Sequence, residues 1–332
     1  MTATEPGVAN TAPLYHFLPD KDEVRRSFDR VAAGYDEVAV LQRVVGQRLV
    51  ERLLEVRVTP DRVLDVGAGT GSGTAALAER YPEALVVAVD IAPAMLRQAR
   101  QRAYGWASSL AAWGRGRALL QRMVSVLRRN SGGQRFVCAD ADALPFAHES
   151  VALVHSNLTL QWCQDLERTF GEVRRVLRPE GLLVFTTFGP DTLKELRAAW
   201  RTVDDYSHVN AFLDMHDVGD ALTRAGFSGI VMDVERITLT YPDVAGLMRD
   251  LKALGAHNVT HGRPRGLTGR GHLKQLVTAY ETFRHGGRLP ATYEVIYGHA
   301  WVATPATQRP VMPATVPVAE IKRANVLRKD GD

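Results

Sequence analysis

The chain has 332 residues, 45% of them hydrophobic, enough apolar material for one large α/β domain with a cap and no need of disulfide staples. A formal charge of +4 is too mild to point to a nucleic-acid partner. No run of about 18 apolar residues argues for a membrane span. Cys138 and Cys163 stand far apart with no CxxC pair, which speaks against structural zinc or a disulfide scaffold and for a reducing cytoplasm.

Residues 1–21 lack a basic region followed by an apolar stretch and read as a disordered leader. From Asp22 to Glu55 the apolar residues Val24, Phe28, Val31, Tyr35, Val38, Leu41, Val45, Leu49 and Leu53 recur at helical spacing, interrupted at Gly34, which predicts two helices. RVLDV (62–66) is a buried strand entering a glycine turn, and TAALAERY (74–81) the helix after it. ALVVAVD (84–90) and MLRQARQRA (95–103) repeat that alternation. Further strands are predicted at RFVCAD (135–140), SVALVHSN (150–157), GLLVFTTF (181–188), GIVMDVERITLTY (229–241) and TYEVIYGHAWVAT (292–304), with RTFGEVRRVL (168–177) helical.

Strand alternating with helix predicts an α/β fold around a mostly parallel seven-stranded sheet with helices on both faces. The connection over about 102–135 is too long for its place. It carries Arg102, Arg115, Arg117, Arg122, Arg128, Arg129 and Arg135 with no acid, and reads as an arginine-rich insertion forming a solvated helical hairpin. Residues about 242–290, between the last two strands, form a helical block that reads as a substrate cap. A proline-rich stretch, 305–332, reads as an extended tail. Residues 22–304 are therefore expected to be one domain.

The glycine turn is Asp65, Val66, Gly67, Ala68, Gly69, Thr70, Gly71, a form that lets a ligand approach backbone at a helix N-terminus. A nicotinamide fingerprint wants glycine at 72, where Ser72 stands, so an NAD oxidoreductase is disfavoured. The second strand ends at Asp90, about 20 residues on, where a carboxylate can accept both hydroxyls of a ribose. CADADALPF (138–146) sets Asp140 and Ala141 at a third strand end, able to read an adenine edge, and HSNLTLQW (155–162) closes the fourth.

VLDVGAGTG (63–71), AVDIAPAML (88–96), ADALPF (141–146) and VRRVLRPEGLLVFTTFG (173–189) together resemble the successive motifs of class I methyltransferases, which have a Rossmann-like fold and use S-adenosylmethionine. The resemblance implies that Asp65, Gly67, Ala68, Gly69 and Gly71 shape the methionine side of the cofactor site and that Asp90, followed by Ile91 and Met95, holds the ribose. It also implies that Asp140 and Ala141 take the adenine, that Asn157 and Leu158 line the floor, and that Phe28 and Tyr35 close over it.

The fourth strand continues as Ser156, Asn157, Leu158 and Thr159, lacking the proline pair of nucleic-acid amino-methyltransferases, and no cysteine nucleophile adjoins a proline. SNLTLQWCQDL (156–166) resembles the carboxyl-methylating branch. FDRVAAGYDEVAVLQR (28–43), TTFGPDTLKELRAAW (186–200), HVNAFLDMHDVGDAL (208–222), MRDLKALGAHNV (248–259) and LPATYEVIYGHAW (289–301) resemble the malonyl-acyl-carrier-protein methyltransferase family over roughly residues 24–302.

The resemblance implies methylation of the free carboxylate of a malonyl thioester on acyl-carrier protein, or on coenzyme A. The product is the malonyl methyl ester that primes pimeloyl and biotin synthesis, with no metal, nucleic acid or membrane involved. Tyr35 and Gln161 are the candidates for orienting the carboxylate, with a cofactor lid and a structural amide as their plainer alternatives. Trp162 is read as core. Arg249 and Lys252 are the candidates for pairing with the substrate or its acidic carrier. Three alternatives stay open: methylation of a free organic acid, an arginine hydroxylase related to the family, and a cofactor-binding factor without turnover.

Overall fold

The computed structural model describes residues 19–111, 133–256, 258 and 269–304. Residues 1–18 of the leader, most of the arginine-rich insertion, part of the cap and the tail lie outside the described residues; the expected leader ends too late, because Asp20 caps the first helix and Lys21 opens it.

Before the sheet come α1 (Lys21–Val31), α2 (Tyr35–Val38) and α3 (Val40–Arg52). There are three helices where the spacing predicts two, because Ala39, at ψ 45°, leaves the helical region and bends the chain between α2 and α3 with no glycine or proline to mark it. The alternating part runs β1 (Arg62–Val66), α4 (Ser72–Arg80), β2 (Leu85–Asp90), α5 (Pro93–Ala111), β3 (Gln134–Cys138), β4 (Val151–Ser156), α6 (Leu166–Val176) and β5 (Leu177–Phe188). It continues through α7 (Lys194–Trp200), α8 (Met215–Arg224), β6 (Phe227–Tyr241), α9 (Val244–Ala253), α10 (Arg270–Glu281) and β7 (Leu289–Val302). Helices α1, α6, α8 and α9 begin at Asp20, Asp165, Asp214 and Asp243, whose side chains each accept a backbone N–H from three residues on.

The seven strands lie in the order β3-β2-β1-β4-β5-β7-β6. Neighbours among the first five pair in parallel, whereas β7 runs antiparallel to both β5 and β6. Both faces of the central strands are covered, which is why they read as continuous apolar runs. Val63 and Leu153 pack on one face with Leu41, Val45 and Leu49 of α3. Leu64, Val66 and Val154 pack on the other with Phe170 and Val173 of α6 and Val218 and Leu222 of α8.

From β1 the chain moves outward through β2 to β3 and then returns to place β4 on the other side of β1. The carboxyl ends of β1 and β4 therefore border a crevice at the topological switch point, where open α/β sheets bind ligands. Helix α5 runs nineteen residues, to Ala111, so the start of the supposed insertion is an extension of a sheet-packed helix. Arg102 within it, though exposed, is anchored: its Nε donates to the Thr70 carbonyl at 3.0 Å and its guanidinium pairs with Asp36. No helix among the described residues is long and apolar enough to cross a membrane.

Candidate cofactor and active site

A cavity of about 440 Å³ fills the crevice, roofed by α1, α2 and α3. Its volume lies within the range of small-molecule sites. The glycine turn forms its near wall. Gly67, Gly69 and Gly71 have φ of 74°, 54° and 82°, in the left-handed region that side-chain-bearing residues avoid. A Cβ on Gly67 would overlap the Thr159 side chain, whereas one on Gly69 would meet nothing within 4 Å. One on Gly71 would stand 2.8 Å from Ala99 Cβ, so this third glycine lets α4 pack on α5 and does not line the cavity. Thr70 Oγ1 donates to Asp36 Oδ1 at 2.6 Å, tying the turn to α2.

The end of β2 brings Asp90 into the cavity with its carboxylate anchored on both sides: Gly69 N–H donates to one oxygen and Ala92 N–H to the other, each at 2.8 Å. Burial nevertheless pushes its pKa up to about 6, against the opposing pull of those two donors. The other oxygen lone pairs remain free to accept. At the end of β3, Asp140 faces the cavity and takes both of its charge contacts from Lys21, at 2.6 and 2.7 Å. Lys21 also pairs with Asp142. Nothing in the sequence marked Lys21, since its partners lie some 120 residues away.

Asn157 is fixed by donating to the Gln42 carbonyl at 3.0 Å and accepting from the Thr186 hydroxyl at 2.8 Å. Leu158, with φ 49°, turns the chain beneath it. Asp65 borders the cavity, yet its oxygens are engaged from behind by His155 Nδ1 at 2.8 Å and Thr74 Oγ1 at 2.5 Å.

Phe28 and Tyr35 both line the cavity, their rings 6.3 Å apart at 68°. Trp162, read from sequence as core, instead completes this aromatic cover, standing edge to face on Phe28 at 5.4 Å. Burial, then the charges of Asp90 and Asp36, raise the Tyr35 phenol well above its ordinary range, so it stays protonated and able to donate. Cys163 also lines the cavity. Burial and Asp142 push its thiol up to about 12, which holds it protonated and makes it a poor nucleophile.

Two of the expected contacts are not formed. Gln161 is not among the cavity-lining residues: its Nε2 donates to the Leu158 carbonyl at 2.7 Å and its Oε1 accepts from Thr187 at 3.3 Å, so the amide braces the turn under the floor. Arg249 and Lys252 lie exposed on α9, away from the cavity lining, and form no ion pair among the described residues.

The arrangement suits S-adenosylmethionine: an open glycine at 69, an anchored carboxylate at the end of β2, and an acceptor at the end of β3 follow one another along the cavity. Fold and site together define a class I S-adenosylmethionine-dependent methyltransferase, and the methyltransferase-domain family matches residues 40–231. A solved methyltransferase from Bacillus halodurans shares the fold at 18% identity, with a TM-score of 0.50 over 77% of this chain and 99% of that one.

Two malonyl-[acyl-carrier protein] O-methyltransferases are far nearer in sequence. That of Methylovorus sp. (strain MP688) is 54% identical over 86% of this chain and 90% of its own, and that of Nitrosospira multiformis is 52% identical over 88% and 92%. The chain belongs to the malonyl-[acyl-carrier protein] O-methyltransferase family.

Proposed function

We propose that this enzyme methylates the free carboxylate of malonyl-[acyl-carrier protein], giving the methyl ester. The observation that carries this reading is the reach of the family match: 54% identity over 285 residues, well beyond the methyltransferase domain at 40–231.

When bound, S-adenosylmethionine supplies a methyl group on a positively charged sulfur. The protein's own task is binding, alignment and exclusion of water. Asp90 accepts from the ribose hydroxyls through its unused lone pairs, Asp140 accepts from the adenine amine, and Gly67, Ala68 and Gly69 let the backbone approach the methionine arm. Ile91, Met95, Ala141, Asn157 and Leu158 supply the walls and floor. A malonyl carboxylate, with a pKa of about 4 or below, is already ionised at neutral pH, so no residue need remove a proton. Holding its oxygen about 3 Å from the methyl group in a cavity closed by Phe28 and Trp162 provides proximity and desolvation. Tyr35, a protonated phenol at the cavity roof, is the donor we assign to orient that carboxylate. Arg249 and Lys252, solvent-facing on α9, belong to recognition of the acidic carrier rather than to the reacting carboxylate.

Intact-mass measurement of malonyl-carrier protein after incubation with enzyme and S-adenosylmethionine tests the reaction. A gain of one methylene in mass, reversed by mild ester hydrolysis, is expected. An unchanged carrier alongside a methylated free organic acid would overturn the choice of substrate.

A further inference from the structure

The hairpin of β6 and β7 overhangs the sheet. Phe188 of β5 pairs with Val295, so residues 289–294 of β7, paired with Arg236 to Tyr241 of β6, run about 20 Å past the carboxyl end of β5. Helix α7 is pinned to that overhang: the Leu193 N–H donates to the Thr292 carbonyl at 2.6 Å, and the Glu195 carboxylate accepts the Thr292 N–H at 3.1 Å. It therefore stands over the same edge of the sheet as the cofactor crevice. Between α7 and the loop that follows it lies a second, open cavity of about 890 Å³, sharing no lining residue with the first.

Two arginines one helical turn apart, Arg197 and Arg201, set its chemistry. Arg197 is half-buried and fixed: Nη1 donates to the Pro190 carbonyl at 2.8 Å and Nη2 to the Thr192 carbonyl at 3.1 Å, which leaves three of the five N–H donors of a guanidinium. Neither arginine forms an ion pair among the described residues. Asp191, whose charge reaches Arg197, is itself held by Lys194 and Arg236. Of the two acids in the lining, Asp204 accepts from His208 Nε2 at 2.8 Å and from the Tyr206 N–H at 3.0 Å, and Asp205 is exposed to water. Burial and the Arg201 charge together lower the Arg197 pKa. A fixed guanidinium with donors to spare and a second cation beside it complement a compact anion with several acceptor oxygens, such as a phosphate. Trp200 and His208, stacked at 3.6 Å and 6°, add a flat wall.

Position says which phosphate. Thr186 holds Asn157 at the floor of the cofactor cavity, Phe188 stands two residues further along β5, and the Phe212 ring in the second cavity lies 5.7 Å from the Phe188 ring. The second cavity therefore begins about 15 Å from the floor of the first. A pantetheine arm, about thirteen bonds from sulfur to phosphorus, spans about 15 Å when extended. We propose that this cavity takes the phosphate end of the substrate's phosphopantetheine arm, with Arg197 and Arg201 on the phosphate and the Trp200–His208 stack beside the arm. Carrier protein and coenzyme A both bear that phosphate, so the site serves either. The inference rests on the malonyl-thioester reading of the substrate.

Calorimetry on the full chain with phosphopantetheine and with pantetheine, which lacks the phosphate, tests the site without turnover. The wild type is expected to bind phosphopantetheine about tenfold or more tighter. Arg201→Gln removes a charge that has no ion-pair partner in the described fold and should narrow that ratio about threefold. Adding Arg197→Gln should bring the two affinities within about twofold of each other. Arg197 also braces two carbonyls, but a loosened loop lowers both affinities alike, so the ratio within each variant carries the result. In turnover, the double variant should raise the apparent KM for malonyl-phosphopantetheine, malonyl-coenzyme A and malonyl-carrier protein about tenfold relative to that for malonyl-pantetheine.

Equal wild-type affinity for the two pantetheines would overturn the proposal. So would a KM effect confined to malonyl-carrier protein, which would give the arginines to the carrier's surface, or one confined to malonyl-coenzyme A, which would give them to its additional phosphates. Failure of the methyl-acceptor reading shows differently, as a wild-type protein that binds phosphopantetheine through these arginines yet methylates no malonyl thioester, and that outcome leaves the phosphate site in place.

Discussion

Asp90 carries opposing demands: two backbone donors favour its charge, and burial opposes it strongly enough to leave the pKa at about 6. The ionised form is the one that accepts from ribose hydroxyls. Affinity for S-adenosylhomocysteine is therefore expected to fall by up to about tenfold per unit as pH drops below about 6. In Asp90→Asn that profile should be flat, with a dissociation constant at neutral pH about 10- to 100-fold higher, measured by calorimetry. In the ligand-free protein the sign is the reverse. A carboxyl whose folded pKa is raised favours the fold below about 4 and loses that contribution as pH rises through about 6.

Gly67 is the turn position least open to change, because a Cβ there meets the Thr159 side chain and φ is 74°. Gly67→Ala should cost about 2 kcal/mol or more in denaturant unfolding and abolish cofactor binding. Tyr35→Phe removes only a hydroxyl. If that hydroxyl orients the acceptor, turnover should fall about tenfold or more with cofactor affinity unchanged, and wild-type turnover would return Tyr35 to packing.

Helix α1 works as a strap across the cavity, held at three points. Lys21 pairs with Asp140 and Asp142, Asp29 accepts the Ala94 N–H at 2.7 Å on the first turn of α5, and the Ser27 hydroxyl donates to the Gly255 carbonyl at 3.1 Å behind α9. Asp142 is nearly buried, so Lys21→Met leaves a carboxylate without its cation. A loss of about 1–2 kcal/mol is expected, toward the lower end for such pairs because Lys21 keeps some solvent contact. It should be read as a melting temperature lower by roughly 2–4 °C. An unchanged melting temperature would mean that the strap is held by its other two contacts. The Asp36, Thr70 and Arg102 cluster does for α2 what Lys21 does for α1, joining a roof helix, the glycine turn and α5.

Over the whole molecule, the cofactor half is closed by the roof helices, while Arg249 and Lys252 stand exposed on the α9 cap, where a folded partner can reach them. Attraction between exposed charges is screened beyond about 8 Å at physiological ionic strength. Raising salt should therefore increase the apparent KM for malonyl-carrier protein more than that for malonyl-coenzyme A, and replacing Arg249 and Lys252 with Ala should shrink the difference. If deletion of residues 112–132 removes the carrier preference from a protein that still binds S-adenosylhomocysteine, docking belongs to the arginine-rich insertion and not to α9.

The strands and several of the residues that stand at their carboxyl ends were legible in the sequence. A buried parallel strand is a continuous apolar run, and its carboxyl end is where the next motif residue must project: Gly67, Asp90 and Asp140 follow from that local pattern, whereas Asn157 came with the resemblance to the methyltransferase motifs. What depended on contacts between distant segments was silent. Lys21 finds Asp140 across 119 residues, and His155 finds Asp65 across 90. Gln161 carried the right chemistry in the right motif, yet the turn at Leu158 directs its amide to backbone. Trp162 looked like core until α1 brought Phe28 against it. Periodicity and spacing determine which elements form and which strand ends meet the crevice. Only tertiary packing decides which lone pairs and charges are spent inside the fold, as those of the Gln161 amide and the Lys21 ammonium are.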